Sequence, residues 1–109
     1  MYTRVYTGQP VTVFATQQFD DWMGRLKDAQ GKSRIAARIR RISLGNIGDI
    51  KSVGGGVSEL RIHTGPGYRV YLTLRGQEVV ILLVGGDKSS QSKDIKSAKA
   101  LAKQYQEES

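Results

Sequence analysis

Val79–Val80–Ile81–Leu82–Leu83–Val84 is an unbroken run of six apolar residues, followed at once by Gly85 and Gly86. Its length suits one strand. Its lack of alternation means that neither face can be left to water, so it marks a strand covered on both faces or nearly so. The rest of the chain must supply the cover. The run is also the longest apolar stretch, far short of the roughly 20 residues that span a bilayer, and no membrane partner is expected.

Two strands with a different pattern precede it. From Val57 to Thr64 the residues alternate, with Leu60 and Ile62 on one side and Glu59, Arg61 and His63 on the other. Gly65, Pro66 and Gly67 make a turn. Tyr68 to Leu74 alternates again, with Tyr68, Val70, Leu72 and Leu74 opposed to Arg69, Tyr71 and Thr73. Arg75, Gly76 and Gln77 then turn the chain into the apolar run. Earlier, Phe19, Trp22, Met23 and Leu26 fall at i, i+3, i+4 and i+7, the stripe of a helix, with Asp20 and Asp21 near its first turn. Gly31 is expected to end that segment and Ser33 to cap a second helix carrying Ile35, Ile39 and Ile42. Gly45 and Asn46 stop it. Two helices so closely joined should form an antiparallel hairpin.

Val11 to Ala15 reads as a strand, Gly54 to Gly56 as a flexible hinge, and Ile95, Ala98, Leu101 and Tyr105 as one side of a last helix. The order is β-α-α-β-β-β-α, an α+β class in which helices pack on a small antiparallel sheet. The 109 residues are enough for one domain. Within it, the polar residues 1–9 read as an extension or a short edge strand.

Charge narrows the partners. Seventeen Lys and Arg against ten Asp and Glu leave +7, which attracts nucleic acid or an acidic protein. There is no cysteine, which removes disulfides, thiolate zinc and cysteine nucleophiles, and a lone His63 argues against a multi-histidine metal site. MYTRVYTGQP has no apolar core or cleavage site of a leader, so a cytoplasmic protein is expected.

Three clusters could act on a polyanion. Arg34, Arg38 and Arg41 form an i, i+4, i+7 stripe on the second helix, and no acid occurs between Asp28 and Asp49. Taken alone, such a stripe could be a solvated helix face, as Lys93, Lys96, Lys99 and Lys103 on the last helix are expected to be. On the sheet, Arg61, His63, Arg69 and Tyr71 share a face and could converge on one phosphate. The competing expectation is a solvated face with Glu59 paired to one arginine, where such pairs contribute about 0–1 kcal/mol. The loop Gly85–Gln91 combines glycines, Lys88 and a helix start, which suits an anion. Its spacing is not that of a P-loop, and a strand end followed by a helix cap explains it equally well.

The blocks GGGVSELRIHTGPGYRVYL and VVILLVGGDKSSQSKDIKSA, with RIAARIRRISLGNIGDIKSVGGG ahead of them, resemble the HigB-like "addiction module killer" branch of the RelE/ParE toxin superfamily. The resemblance runs from about Phe14 to Leu101. It implies the RelE fold and a bacterial type II toxin that cuts mRNA in the ribosome without metal or cofactor, silenced by a helix-turn-helix antitoxin. By resemblance, Arg61 and Arg69 match the sheet arginines of the site, and Tyr71 an aromatic that stacks on the RNA or protonates near it. Lys88 matches a basic loop residue, and Lys51 could bind phosphate. The Asp-Tyr-His ending of some HigB enzymes is absent, which leaves His63 and Lys88 as candidates for the general base. Two alternatives stay open: a ParE-like gyrase inhibitor without chemistry, and an inactive homologue that only binds an antitoxin.

Overall fold

The computed structural model describes the backbone of residues 2–6 and 9–108 and the side chains of residues 9–105. The elements are β1 (Tyr2–Tyr6), β2 (Thr12–Thr16), α1 (Gln17–Arg25), α2 (Ala29–Ser43), β3 (Ile50–Gly54), β4 (Val57–Ile62), β5 (Tyr68–Arg75), β6 (Val79–Gly86) and α3 (Gln91–Glu108), with one 3-10 turn at Lys88–Ser90 before α3. The six strands form one sheet in the order β1-β2-β6-β5-β4-β3. It is α+β, as expected, but the sheet is mixed, because β2 runs parallel to β6 with Thr12 opposite Val79 and Ala15 opposite Leu82. The alternation of side chains is the same in either direction, so the sequence pattern carried no sign of this pairing.

Strand β6 is the axis of the molecule. Val80 and Leu82 face α1 and α2 with Ile35, Ile39, Ile42, Leu60 and Val70. Ile81 and Leu83 face α3 with Tyr71, Ala98 and Ala102. Both faces of the apolar run are therefore covered, and each fully buried aliphatic side chain contributes roughly 2 kcal/mol. Opposite it, Tyr71 pairs with Val84 and Leu72 with Leu82, so Leu83 forms a bulge.

Two further strands complete the sheet. β1 pairs antiparallel with β2, the edge-strand alternative for the N-terminal residues. β3 forms a hairpin with β4 around Gly54, Gly55 and Gly56, whose φ angles of 91°, 63° and 76° are left-handed. Those glycines make a tight turn and not a flexible hinge.

The helix boundaries also differ from expectation. Thr16 caps α1: its hydroxyl accepts from the Phe19 N–H at 3.0 Å and donates to the Leu83 carbonyl at 2.5 Å, tying the helix start to β6. α2 is capped by Asp28, not Ser33, and Gly31 lies inside its first turn. Glycine is required there because the Tyr68 ring and the Asp28 carboxylate occupy the space of a Cβ. The Gly31 N–H donates to that carboxylate at 3.1 Å and the Tyr68 hydroxyl at 2.8 Å, and in that order they hold the Asp28 carboxyl below its ordinary range. Among the described residues, no helix is long and apolar enough to cross a membrane.

Candidate nucleic-acid interface

The paired strands β4 and β5 set Glu59 opposite Tyr71 and Arg61 opposite Arg69. Helix α3 lies over this face, so it is not the solvated surface that alternation suggested. Glu59 is 1% exposed and gathers its neighbours. Arg61 Nε donates to Glu59 Oε1 at 2.7 Å, Arg69 Nε lies 3.7 Å from Oε2, and Gln91 Nε2 of α3 donates to Oε2 at 2.8 Å. The acid thus engages both sheet arginines rather than one.

The two arginines are not equivalent. Arg61 keeps a side chain 46% exposed and is bonded to Glu59 through Nε, leaving both Nη groups for a ligand. Arg69 is enclosed, with its side chain 9% exposed and Nη1 donating to the Gly67 carbonyl at 3.0 Å. Tyr71 is completely buried and its hydroxyl has no hydrogen-bond partner among the described residues. Burial, reinforced by the Glu59 charge, pushes its phenol well above the ordinary tyrosine range. Tyr71 therefore offers no ring face for stacking and no readily lost proton, which corrects the role expected of it. Packing of Ala98, Ala102 and Tyr105 against it is the reason.

Burial alone would raise the Glu59 carboxyl, but hydrogen bonds from Arg61 and Gln91 and the charges of Arg61 and Arg69 outweigh it and hold the carboxyl below its usual range. A depressed carboxyl stabilises the fold above its ordinary pKa, and that stabilisation is lost as pH falls through the lowered value. Acid titration followed by circular dichroism should show Glu59→Gln less stable than the parent near neutrality and less sensitive to falling pH. Equal acid sensitivity in both proteins would show that the Glu59 ion pairs contribute nothing.

A second constellation lies at the edge of β4. Strand β3 begins at Ile50, opposite Leu60, so Arg61 and the residues after it have no β3 partner. Arg38 of α2 reaches this open edge and donates from Nη1 to the Arg61 carbonyl at 3.2 Å. Its guanidinium lies over Gly48, where an added Cβ would come within 2.9 Å of Nη2. Three adjoining clefts share Arg38. One of about 200 Å³ is lined by Arg38, Asp49, Ile50, Lys51, Glu59, Arg61 and His63. The next, about 280 Å³, adds Arg34, Ala37, Arg41 and Ile62 to Arg38 and His63. The third, about 290 Å³, lies between Arg38, Arg41, Asn46, Gly48 and Asp49. The helix stripe and the strand end, separate features of the sequence, thus form one basic groove.

The Gly85–Gln91 loop does not form the anion cradle that glycines and a helix start suggested. Gly85 has no side chain because the Trp22 indole fills that space, and Gly86 because Ser90 and Asp94 do. The loop's own donors are used internally: Ser89 N–H bonds the Asp87 carboxylate at 2.8 Å, and Ser90 N–H the Asp87 carbonyl at 3.2 Å. Lys88 is exposed and sits beside Gly67, away from the clefts. Glu59 and Gln91 were missed as site residues. The signal for Glu59 was present, since alternation already placed it on the face of Arg61.

Among the described residues, no group of three or more His, Cys, Asp or Glu could hold a metal ion. A protein of Haemophilus influenzae described as uncharacterized is 53% identical to this chain over 94 residues, 86% of this chain and 95% of that protein. The model of the family described as "Phage derived protein Gp49-like" matches residues 21–107, a span that includes Glu59, Gln91 and every arginine of the groove. This chain belongs to the Gp49-like family of phage-derived proteins.

Proposed function

We propose that the protein is the toxin of a type II toxin–antitoxin module and acts as a metal-independent RNA endonuclease on ribosome-bound mRNA. The observation that carries this is the junction of the α2 arginine stripe with Arg61 and His63 at the open edge of β4. Arg34, Arg38 and Arg41 supply the electrostatic footprint for an RNA backbone. Lys51 and Arg61 stand over the reacting phosphate, where guanidinium stabilises the charge that builds on its oxygens. His63, exposed in the groove, takes the proton of a 2′-hydroxyl. The 2′-oxygen attacks phosphorus, the P–O5′ bond breaks, and O5′ is protonated by water of the open groove, giving a cyclic phosphate and a 5′-hydroxyl. Arg69 supports the site from the other side of Glu59, while Lys88, beside Gly67, stands apart from the groove.

The partner is a helix-turn-helix antitoxin, whose acidic residues would neutralise the same groove. The site of action is the cytoplasm, and no cofactor takes part. The 109 residues work as one toxin domain, with Tyr2–Tyr6 as an added edge strand.

Expression in bacteria without a partner tests this. Pulse labelling should show protein synthesis stopping first, with new mRNA 5′ ends in the transcripts being translated. DNA synthesis failing first would support a gyrase inhibitor instead, and normal growth an inactive antitoxin-binding homologue.

A further inference from the structure

The two guanidiniums most obvious in the sequence, Arg61 and Arg69, are not the two that share a cleft. We infer that Arg61 and Arg38 together take one phosphodiester of the RNA, and that Glu59 is the positioning residue that aims Arg61 at it. This rests on the RNA reading of the groove and specifies which groups execute it.

Arg69 is excluded by its surroundings. It is 7% exposed, lies against Glu59, and spends Nη1 on the Gly67 carbonyl. Arg38 has the opposite situation. It is anchored at one point, the Arg61 carbonyl, and lines the cleft that Arg61, Lys51 and His63 also line. Gly48 beneath it gives the guanidinium room that a side chain would take. Arg61 is likewise anchored at one point, Nε on Glu59 Oε1, which leaves its paired Nη edge for two parallel bonds to phosphate oxygens.

Each guanidinium is therefore held by one nitrogen and offers the others, so little rotamer freedom is left to lose on binding. Glu59 can hold Arg61 because it is itself fixed, enclosed in the protein and bonded by Gln91 of α3. Its negative charge is already met by Arg61 and Arg69, so it does not cancel the cleft's attraction for an anion. Asp49 at the same cleft adds one negative charge, which suits a single phosphate and disfavours a second.

The test uses a 2′-O-methyl RNA hexamer, which cannot be cleaved, with binding read by fluorescence anisotropy at several salt concentrations. Arg38→Ala and Arg61→Ala should each weaken binding by about tenfold and lower the salt slope by about one. If both hold the same phosphate, the double variant should lose much less than the product of the single losses. Glu59→Gln should weaken binding in the parent and have no further effect in the Arg61→Ala background. A purely structural role for Glu59 would weaken both equally. Losses that multiply, or an Arg38→Ala variant that binds like the parent, would overturn the clamp.

A second arm separates this from the nuclease reading. Millimolar inorganic phosphate should shift the side-chain Nε–Hε resonances of Arg38 and Arg61 and leave those of Arg75 in place. Shifts at both arginines, with no new mRNA ends in cells, would keep the phosphate clamp and reject the nuclease. Resonances that stay still would reject the clamp whatever happens to mRNA.

Discussion

Arg69→Ala is expected to lower unfolding stability by about 2–4 kcal/mol, whereas Arg61→Ala, one strand away, is expected to cost no more than about 1 kcal/mol. Removing one partner of a buried ion pair typically costs about 3–5 kcal/mol, because the other charge remains where water cannot reach it. The value for Arg69 is set lower because Glu59 would keep Arg61 and Gln91. Removing Arg61, itself nearly half exposed, lets water reach Glu59, which also keeps Gln91 and the Arg69 charge, so that loss stays small. Against a total stability of roughly 5–15 kcal/mol, the difference is large. Urea denaturation of the two variants side by side measures it. If the protein acts as the proposed toxin, the order should reverse in cells, with Arg61→Ala abolishing growth arrest while the protein remains folded. If Arg69→Ala keeps the parental midpoint and loses toxicity, Arg69 belongs to the chemistry and its enclosure has been overvalued.

That distinction shows what a sequence can and cannot carry. Alternation correctly placed Leu60, Ile62, Val70 and Leu72 on the side covered by α1 and α2, since one wrong register step would have exposed all four. The run from Val79 to Val84 correctly demanded cover on both faces. It did not say that α3 would be one of the covers, and this omission turned a buried Tyr71 and an enclosed Arg69 into expected surface residues. Periodicity tells which residues share a face; only tertiary packing tells whether that face is wet. β3 was missed because Ile50–Gly54 has no alternation of its own and owes its state to pairing with β4.

The site was legible in pieces. Arg34, Arg38 and Arg41 were visible as a helix stripe, and Arg61 and His63 as a strand face. Their meeting depends on β3 beginning opposite Leu60, one residue short of Arg61, which leaves an edge for Arg38 to fill. No local pattern encodes that. The position of Gly31 is a similar case: it looked like a helix stop, yet it sits within α2 because a ring from β5 approaches there.

The pair of glycines at the end of β6 gives the second large effect. Gly85→Ala is expected to cost about 3 kcal/mol, the upper end for an overpacked core position. The added methyl would occupy the space of the Trp22 indole, and the indole has no easy retreat. It is held by Phe19, with ring centroids 5.8 Å apart, and by Tyr68, edge-on at 6.2 Å. Relief must therefore come from the backbone of β6, whose pairing with β5 places Gly85 opposite Val70 in the middle of the core. Trp22→Leu alone should also destabilise, because it leaves part of that space empty. The two changes should compensate, so that the double variant is more stable than the sum of the single costs allows. Circular dichroism in urea measures all three variants. In Gly85→Ala the single tryptophan of the chain reports the displacement directly, as a shift of its emission to longer wavelength. Simple additivity of the two costs would mean that Trp22 and Gly85 do not press on each other. The glycine would then owe its place to the adjoining 3-10 turn, which delivers Gln91 to Glu59.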